Sequence, residues 1–133
     1  MKRKFLRSKI HRAVVTSCDV DYEGSISIPV AMMNEAAILP YESVAVWNVT
    51  NGNRFETYAI EGTPGEICVN GAAAHLVNPE DRVIISTYSY VDEDQVSKIE
   101  PVVVLVEEDN SVFRLKQSER YPAKVASALG RLV

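Results

Sequence analysis

Residues 43–60, Ser43-Val44-Ala45-Val46-Trp47-Asn48-Val49-Thr50-Asn51-Gly52-Asn53-Arg54-Phe55-Glu56-Thr57-Tyr58-Ala59-Ile60, decide the fold class. Two runs rich in β-branched and aromatic residues flank Asn51-Gly52. Asn-Gly between such runs is the strongest short-range hairpin signal, because both central residues of a type I′ turn need positive φ. The stretch predicts a strand over Ser43–Thr50 and a return strand over Asn53–Ile60. With a two-residue turn, Thr50 faces Asn53, Val49 faces Arg54, Trp47 faces Glu56 and Ala45 faces Tyr58. Trp47, Arg54 and Tyr58 then share one sheet face, and Thr57 points to the other.

Outward from the hairpin the chain continues to read as strand. Lys9–Thr16 mixes alternation with β-branched residues, and Tyr22-Glu23-Gly24-Ser25 is a turn after which Ile26 and Ile28 alternate with serines. Pro29 suits the first turn of a short helix over Val30–Ala37, with Pro40 just past its end. Thr63-Pro64-Gly65 turns into a short strand, Ile67–Val69, which runs into Asn70–His75. Beyond the Pro79-Glu80-Asp81 turn, Arg82–Val91 is a strand. Val102–Val106 reads as a fully buried strand from its continuous apolar run. Asp109-Asn110 turns into Ser111–Leu115, and the tail predicts a weak helix over Ala123–Leu129, ended by Gly130. Strands at roughly 8–12-residue spacing with few helices predict a mainly β fold, a small closed barrel or a sandwich. Lys9 and His11, two apart, share a face of their own strand. Where that strand meets the hairpin, a cationic and partly aromatic surface is expected.

Composition sets the broad limits. The chain has 133 residues, a formal net charge of −4 and 47% hydrophobic residues, which fits a single domain with a packed core. A disordered chain would be poorer in apolar residues. The acidic balance argues against a general nucleic-acid binder, and no run approaches the roughly 18 apolar residues of a membrane span. The basic start, Met1-Lys2-Arg3-Lys4, is followed only by Phe5-Leu6 before Arg7, short of the apolar stretch of about 7 residues or more in a secretory signal. Cys18 and Cys68 form neither a disulfide framework nor a clustered zinc motif, which favours a reduced, intracellular setting. His11 and His75 lie far apart with no carboxylate at ligand spacing, so no metal is expected. Asp92-Glu93-Asp94 reads as a solvated loop.

Four pieces in order carry a resemblance: Lys9-Ile10-His11-Arg12 with Tyr22-Glu23-Gly24-Ser25, then Trp47-Asn48-Val49-Thr50-Asn51-Gly52, then Arg54-Phe55 with Thr57-Tyr58-Ala59-Ile60, then Val69-Asn70-Gly71-Ala72-Ala73-Ala74-His75. Each alone is weak. Together, across about residue 4 to residue 106, the chain resembles the aspartate 1-decarboxylase family, small pyruvoyl enzymes that make β-alanine. The tail beyond Val106 carries little of the likeness.

The resemblance implies a small closed six-stranded double-psi β-barrel with a few short helices, usually a homotetramer with sites between neighbouring subunits. It implies a zymogen that cuts itself between Gly24 and Ser25, into residues 1–24 and 25–133. The Ser25 hydroxyl attacks the Gly24 carbonyl, the peptide becomes an ester, and elimination leaves a dehydroalanine that hydrolyses to a pyruvoyl group and ammonia. Glycine at the cut leaves the carbonyl uncrowded and tolerates strained dihedrals. A serine hydroxyl is a weak nucleophile, so strain or an oxyanion donor must assist it. Thr57 is implied to bond the Gly24 carbonyl region, with Tyr22 and Asn70 as further support for processing. The pyruvoyl group condenses with an amine and acts as an electron sink, as pyridoxal phosphate does elsewhere, so neither that cofactor nor a metal is implied.

A dicarboxylic substrate such as L-aspartate needs cations. Arg54 has the planar fork that suits a carboxylate, and Lys9 is the second cation by resemblance. His11 and Trp47 line the anionic site, Tyr58 is the implied proton donor, and the Gly71-Ala72-Ala73 segment the implied substrate loop. Parity sets Thr57 away from Arg54 and Tyr58, which leaves either a bulge or an approach to the Gly24-Ser25 turn from the other side. The product is a precursor of pantothenate and coenzyme A, which implies a bacterial cytoplasm. A barrel that keeps the fold without processing, and a pyruvoyl decarboxylase acting on glutamate, are the competing readings. Cutting unaided and cutting with a helper protein are equally compatible with the sequence.

Overall fold

Strands β4 (Ser43–Asn48) and β5 (Arg54–Gly62) form the expected hairpin in a tighter register. Trp47 pairs with Arg54, Ala45 with Glu56 and Ser43 with Tyr58, not Trp47 with Glu56 or Ala45 with Tyr58. The loop holds the four residues 49–52: the Asn48 N–H donates to the Asn53 carbonyl (2.8 Å) and the Gly52 N–H to the Asn48 carbonyl (2.7 Å). Asn48 Oδ1 accepts the N–H groups of Thr50 (2.9 Å) and Asn51 (3.3 Å), so a side chain supplies the turn bonds. Gly52 has φ +81° and Asn51 is not in the left-handed region, whereas a two-residue type I′ turn needs both. The shift is even, so facing is preserved and Thr57 still lies opposite the buried Val44 on the inner face.

The computed structural model describes residues 1–116 and is mainly β with a few short helices. Before the hairpin come β1 (Lys2–Val14), β2 (Ser17–Asp19), β3 (Ser25–Pro29) and the helix α1 (Val30–Ala36). After it come β6 (Cys68–Asn70), a 3-10 helix over Gly71–Leu76, β7 (Arg82–Asp92), a second 3-10 helix over Glu93–Lys98, β8 (Val102–Val106) and β9 (Phe113–Leu115). The tail helix expected over Ala123–Leu129 lies outside the described residues.

Several boundaries differ from expectation. The first strand begins at Lys2 and stops at Val14, where the Val15 N–H turns to the Asp81 carbonyl (2.9 Å). Its register slips at Arg12, whose φ of 70° marks a bulge. Pro29 closes β3 and caps α1 from outside rather than opening it, and α1 ends at Ala36 because Ala37 is left-handed (φ 54°). In β8 only Val104 and Val106 are buried, so the apolar run is not buried on both faces.

The strand order is β2-β6-β3-β5-β4-β7-β1-β8-β9. β2 is the continuation of β1, so the pairings from β2 round to β1 begin and end on one continuous segment. Of the nine strands, β2, β6 and β9 have three residues each and the other six have five or more. The core is enclosed by that circuit: Ile10, Ile26, Ile28, Val46, Val69, Val83 and Ile85 are fully buried, with Met32 and Met33 of α1 packed on them.

Asn110, 2% exposed in the β8–β9 turn, pins this arrangement. Its Oδ1 accepts the Val14 N–H (2.7 Å) and its Nδ2 donates to the carbonyls of Val14 (2.7 Å) and Gly65 (3.0 Å). Replacing Asn110 with Ala leaves these buried groups unsatisfied. We expect a loss of roughly 3 kcal/mol in urea unfolding; a loss under about 1 kcal/mol would contradict this role.

Candidate active site

Residues 20–24 turn between β2 and β3, and both strands pair with β6, β2 in parallel and β3 in antiparallel. The turn is therefore anchored beside Asn70, where β6 gives way to the first 3-10 helix. Ser25 opens β3, is 1% exposed and pairs directly with Asn70. Its Oγ donates to the Glu23 carbonyl (3.0 Å) and accepts from Asn70 Nδ2 (2.9 Å). Asn70 also reaches Ser27 Oγ (3.4 Å), and its Oδ1 accepts from Cys68 Sγ (3.2 Å).

The requirement for glycine falls on Gly71. Its φ is +75°, and a Cβ there would meet Gly24 Cα at 2.6 Å and Gly24 N at 2.9 Å. Gly24 has no positive φ, and a Cβ added to it meets nothing within 4 Å. Gly24 does not use the positive φ that glycine allows, and the close backbone contact is imposed from the other side. Tyr22 has an exposed side chain, and only its carbonyl approaches Gly71, at 3.4 Å from the added Cβ.

β5 pairs with β4 through Thr57 without a register shift, so no bulge turns Thr57 onto the face of Arg54 and Tyr58. β3 runs parallel to β5, and their pairing begins with Ile26 opposite Ala59, one residue past Ser25. Of the two routes parity allowed, the approach from the other side is the one this topology leaves open.

Gly71–Leu76 is held at its far end. The Leu76 carbonyl accepts from the Nδ2 groups of Asn48 (3.3 Å), Asn51 (3.1 Å) and Asn53 (3.1 Å). The hairpin loop thereby fixes the helix that presses on Gly24. Ala72 is exposed and Ala73 packs against the core, so this segment's capacity to touch a ligand lies in its backbone N–H groups.

A second group of residues shares the outer face of four strands. Directly opposed residues point the same way. One row is His11, Ile84, Trp47 and Arg54; the next is Lys9, Ser86, Ala45 and Glu56; Tyr58 follows two places beyond Glu56. The sequence placed this surface where the strands of Lys9 and of Arg54 meet; they do not meet, because β7 and β4 lie between them. The shared face is nevertheless formed. Arg54 Cζ lies 5.5 Å from the centre of the Trp47 ring, a cation–π contact. Among the described residues neither Arg54 nor Lys9 forms an ion pair. The Tyr58 ring lies 6.2 Å from that of Tyr41.

Sequence reasoning missed Ser86, buried between Lys9 and Ala45, and Tyr88, whose hydroxyl is 3.4 Å from Ser86 Oγ and whose ring carries Lys4 Nζ at 4.8 Å. Period-two alternation places Ile84, Ser86 and Tyr88 on one face, but nothing local indicates that this face joins Lys9 to Trp47.

His11 Nδ1 is buried with no hydrogen-bond partner among the described residues. Burial, then the charges of Lys9, Arg12 and Lys116, hold its imidazole below the ordinary histidine pKa. The unfolded chain, titrating near pH 6.5, takes up the proton first. His11 therefore costs no stability above about pH 6.5 and destabilises as pH falls below it. We expect the melting temperature to drop between pH 7.5 and 5.5 by more in the parent than in His11→Gln; equal drops would contradict this.

No helix among the described residues is long and apolar enough to cross a membrane, and no three His, Cys, Asp or Glu side chains among them gather as metal ligands. The sequence model of the family described as aspartate decarboxylase matches residues 1–113. The chain is 56% identical over 117 residues to the aspartate 1-decarboxylase of Legionella pneumophila (strain Lens), with 86% of each chain covered. It is 55% identical over 112 residues to that of Syntrophotalea carbinolica, covering 83% of this chain and 86% of the relative. With that of Myxococcus xanthus the identity is 52% over 114 residues, covering 84% and 88%. A buried serine under an asparagine amide, a sheet face whose two cations form no ion pair among the described residues and a match through Phe113 agree, and the chain belongs to the aspartate decarboxylase family.

Proposed function

We propose that this chain cuts its own backbone between Gly24 and Ser25 and then decarboxylates L-aspartate to β-alanine and carbon dioxide. The observation that carries the reading is the setting of Ser25 Oγ, buried between the Glu23 carbonyl and the Asn70 amide. A hydroxyl oxygen has one proton and two lone pairs. Glu23 takes the proton and Asn70 one lone pair, which leaves the other for the Gly24 carbonyl carbon. As the Oγ–C bond forms and the C–N bond breaks, the proton passes to the departing nitrogen. Thr57, two residues before the Ala59 that pairs with Ile26, bonds the carbonyl oxygen as charge develops on it. Elimination and hydrolysis then release Gly24 as a carboxylate and the nitrogen as ammonia.

The residues fit the pyruvoyl group that this leaves at position 25, which supplies the electron sink for carboxylate loss. Arg54 and Lys9, without an ion pair among the described residues and on one face, take the two carboxylates of aspartate. Trp47 stacks on and orients the Arg54 guanidinium, and His11, neutral at pH 7, lines the same face without repelling it. Tyr58 returns a proton to the carbon that has lost carbon dioxide. The backbone of Gly71-Ala72-Ala73 borders the substrate. As the family resemblance implies, the reading includes a homotetramer in which neighbouring subunits complete each site. The reading places the product in pantothenate and coenzyme A synthesis in the cytoplasm.

Intact mass of the denatured protein tests the cut. We expect two species divided between residues 24 and 25, the larger lighter by one ammonia than simple hydrolysis would leave. A single full-length mass after prolonged warming both alone and with added cell extract would overturn the reading, and γ-aminobutyrate from glutamate in preference to β-alanine from aspartate would redirect it. Arg54→Ala should raise the KM for aspartate by about tenfold to a hundredfold, the loss of one charge-assisted interaction, and leave the cut intact. Normal turnover in this variant would remove Arg54 from substrate binding.

A further inference from the structure

We infer that Cys68 is a positioning residue for the cut: its thiol sets which way the Asn70 amide faces and so keeps an N–H on Ser25 Oγ. The inference rests on the self-cleavage reading above. Cys68 and Asn70 are two apart on β6 and point to one face; Ser27 and Ser25 oppose them on β3. The four side chains form one patch, with Asn70 3% and Ser25 1% exposed.

A primary amide is nearly symmetric in shape, so a buried one is oriented by the donors and acceptors on its two sides. On the Ser25 side the hydroxyl proton is already directed at the Glu23 carbonyl (3.0 Å), so only lone pairs face Asn70. The N–H side of the amide belongs there, at 2.9 Å. The oxygen side then needs a donor, and Cys68 Sγ at 3.2 Å is that donor. The second thiol is engaged elsewhere: Cys18 Sγ donates to the Val77 carbonyl (3.7 Å), and burial raises its pKa, which keeps its proton in place. Without the Cys68 proton the amide oxygen is stranded, and the flipped amide gains nothing from the cut geometry. With oxygen towards Ser25, the hydroxyl proton is drawn from Glu23 to Asn70, and the free lone pair turns off the Gly24 carbonyl.

The test uses the full chain, purified cold as precursor and warmed, with the uncut fraction followed by intact mass. Cys68→Val, which keeps bulk and removes the donor, should cut about tenfold more slowly, the effect of one hydrogen bond. Cys68→Ser should cut within about twofold of the parent, because a hydroxyl donates as a thiol does. Cys18→Ser, which removes the thiol that does not touch Asn70, should cut at the parent rate. Once matured, Cys68→Val should show parent kcat per cut chain, a readout that general damage would lower. Parent-rate cutting by Cys68→Val would overturn the inference alone. Equal slowing in Cys68→Ser would also overturn it, by assigning the effect to bulk. A parent chain that stays uncut both alone and with added cell extract would instead overturn the self-cleavage reading, and this inference with it.

Discussion

A methyl group on Gly71 would sit 2.6 Å from Gly24 Cα, so two backbone segments touch there with no side chain between them. Residues on both sides are constrained by that contact. Gly71 must take a left-handed φ to leave β6 at once, and Asn70, one residue earlier, is held against Ser25. The turn before β3 is thus shaped by β6 and by the helix that follows it, more than by its own residues. Gly24 itself does not use the positive φ that glycine allows.

The same contact makes the hairpin loop part of the site without touching it. Three asparagines of residues 48–53 converge on the Leu76 carbonyl, and Asn48 also donates to Asp81 Oδ2 (2.8 Å), which accepts the Asn78 N–H (2.9 Å). The far end of the 3-10 helix is thus fixed to β4 and to the start of β7, and its near end presses on Gly24. The sequence Trp47-Asn48-Val49-Thr50-Asn51-Gly52 therefore serves two surfaces: Trp47 points to the cationic face, and the asparagines point to the helix.

Facing was legible in the sequence where it depended on alternation alone. Trp47, Arg54 and Tyr58 share a face although their pairing was placed two residues out, because an even shift leaves parity intact. The loop length was not legible, since Asn48 Oδ1 replaces turn bonds that Asn51-Gly52 alone would have supplied. Chain order hid what non-local pairing decides. The strand of Thr57 neighbours the strand that opens at Ser25 only because β3 lies parallel to β5, and Ser86 enters the cationic face only because β7 lies between β1 and β4. Cys68 carried no local sign of a role; its meaning comes from Asn70 two residues on. The apolar run Val102–Val106 suggested burial on both faces, yet β8 pairs in parallel with β1 while three of its five residues stay partly open.

The place of β1 bears on what a break after Gly24 does to the molecule. β1 lies between β7 and β8 rather than at a sheet margin, and Ser8 Oγ is 2.5 Å from Thr87 Oγ1 beneath it. Residues 1–24 therefore cannot peel away as an edge strand does. Once severed they become a separate polypeptide interleaved with the larger one, a heterodimer made from a single gene product. Such a pair unfolds with a midpoint that rises with protein concentration, and reassembly after denaturation becomes a second-order event. On the self-cleavage proposal, the precursor would fold once as one chain, and the cut form would inherit an architecture in which its two pieces no longer share a backbone.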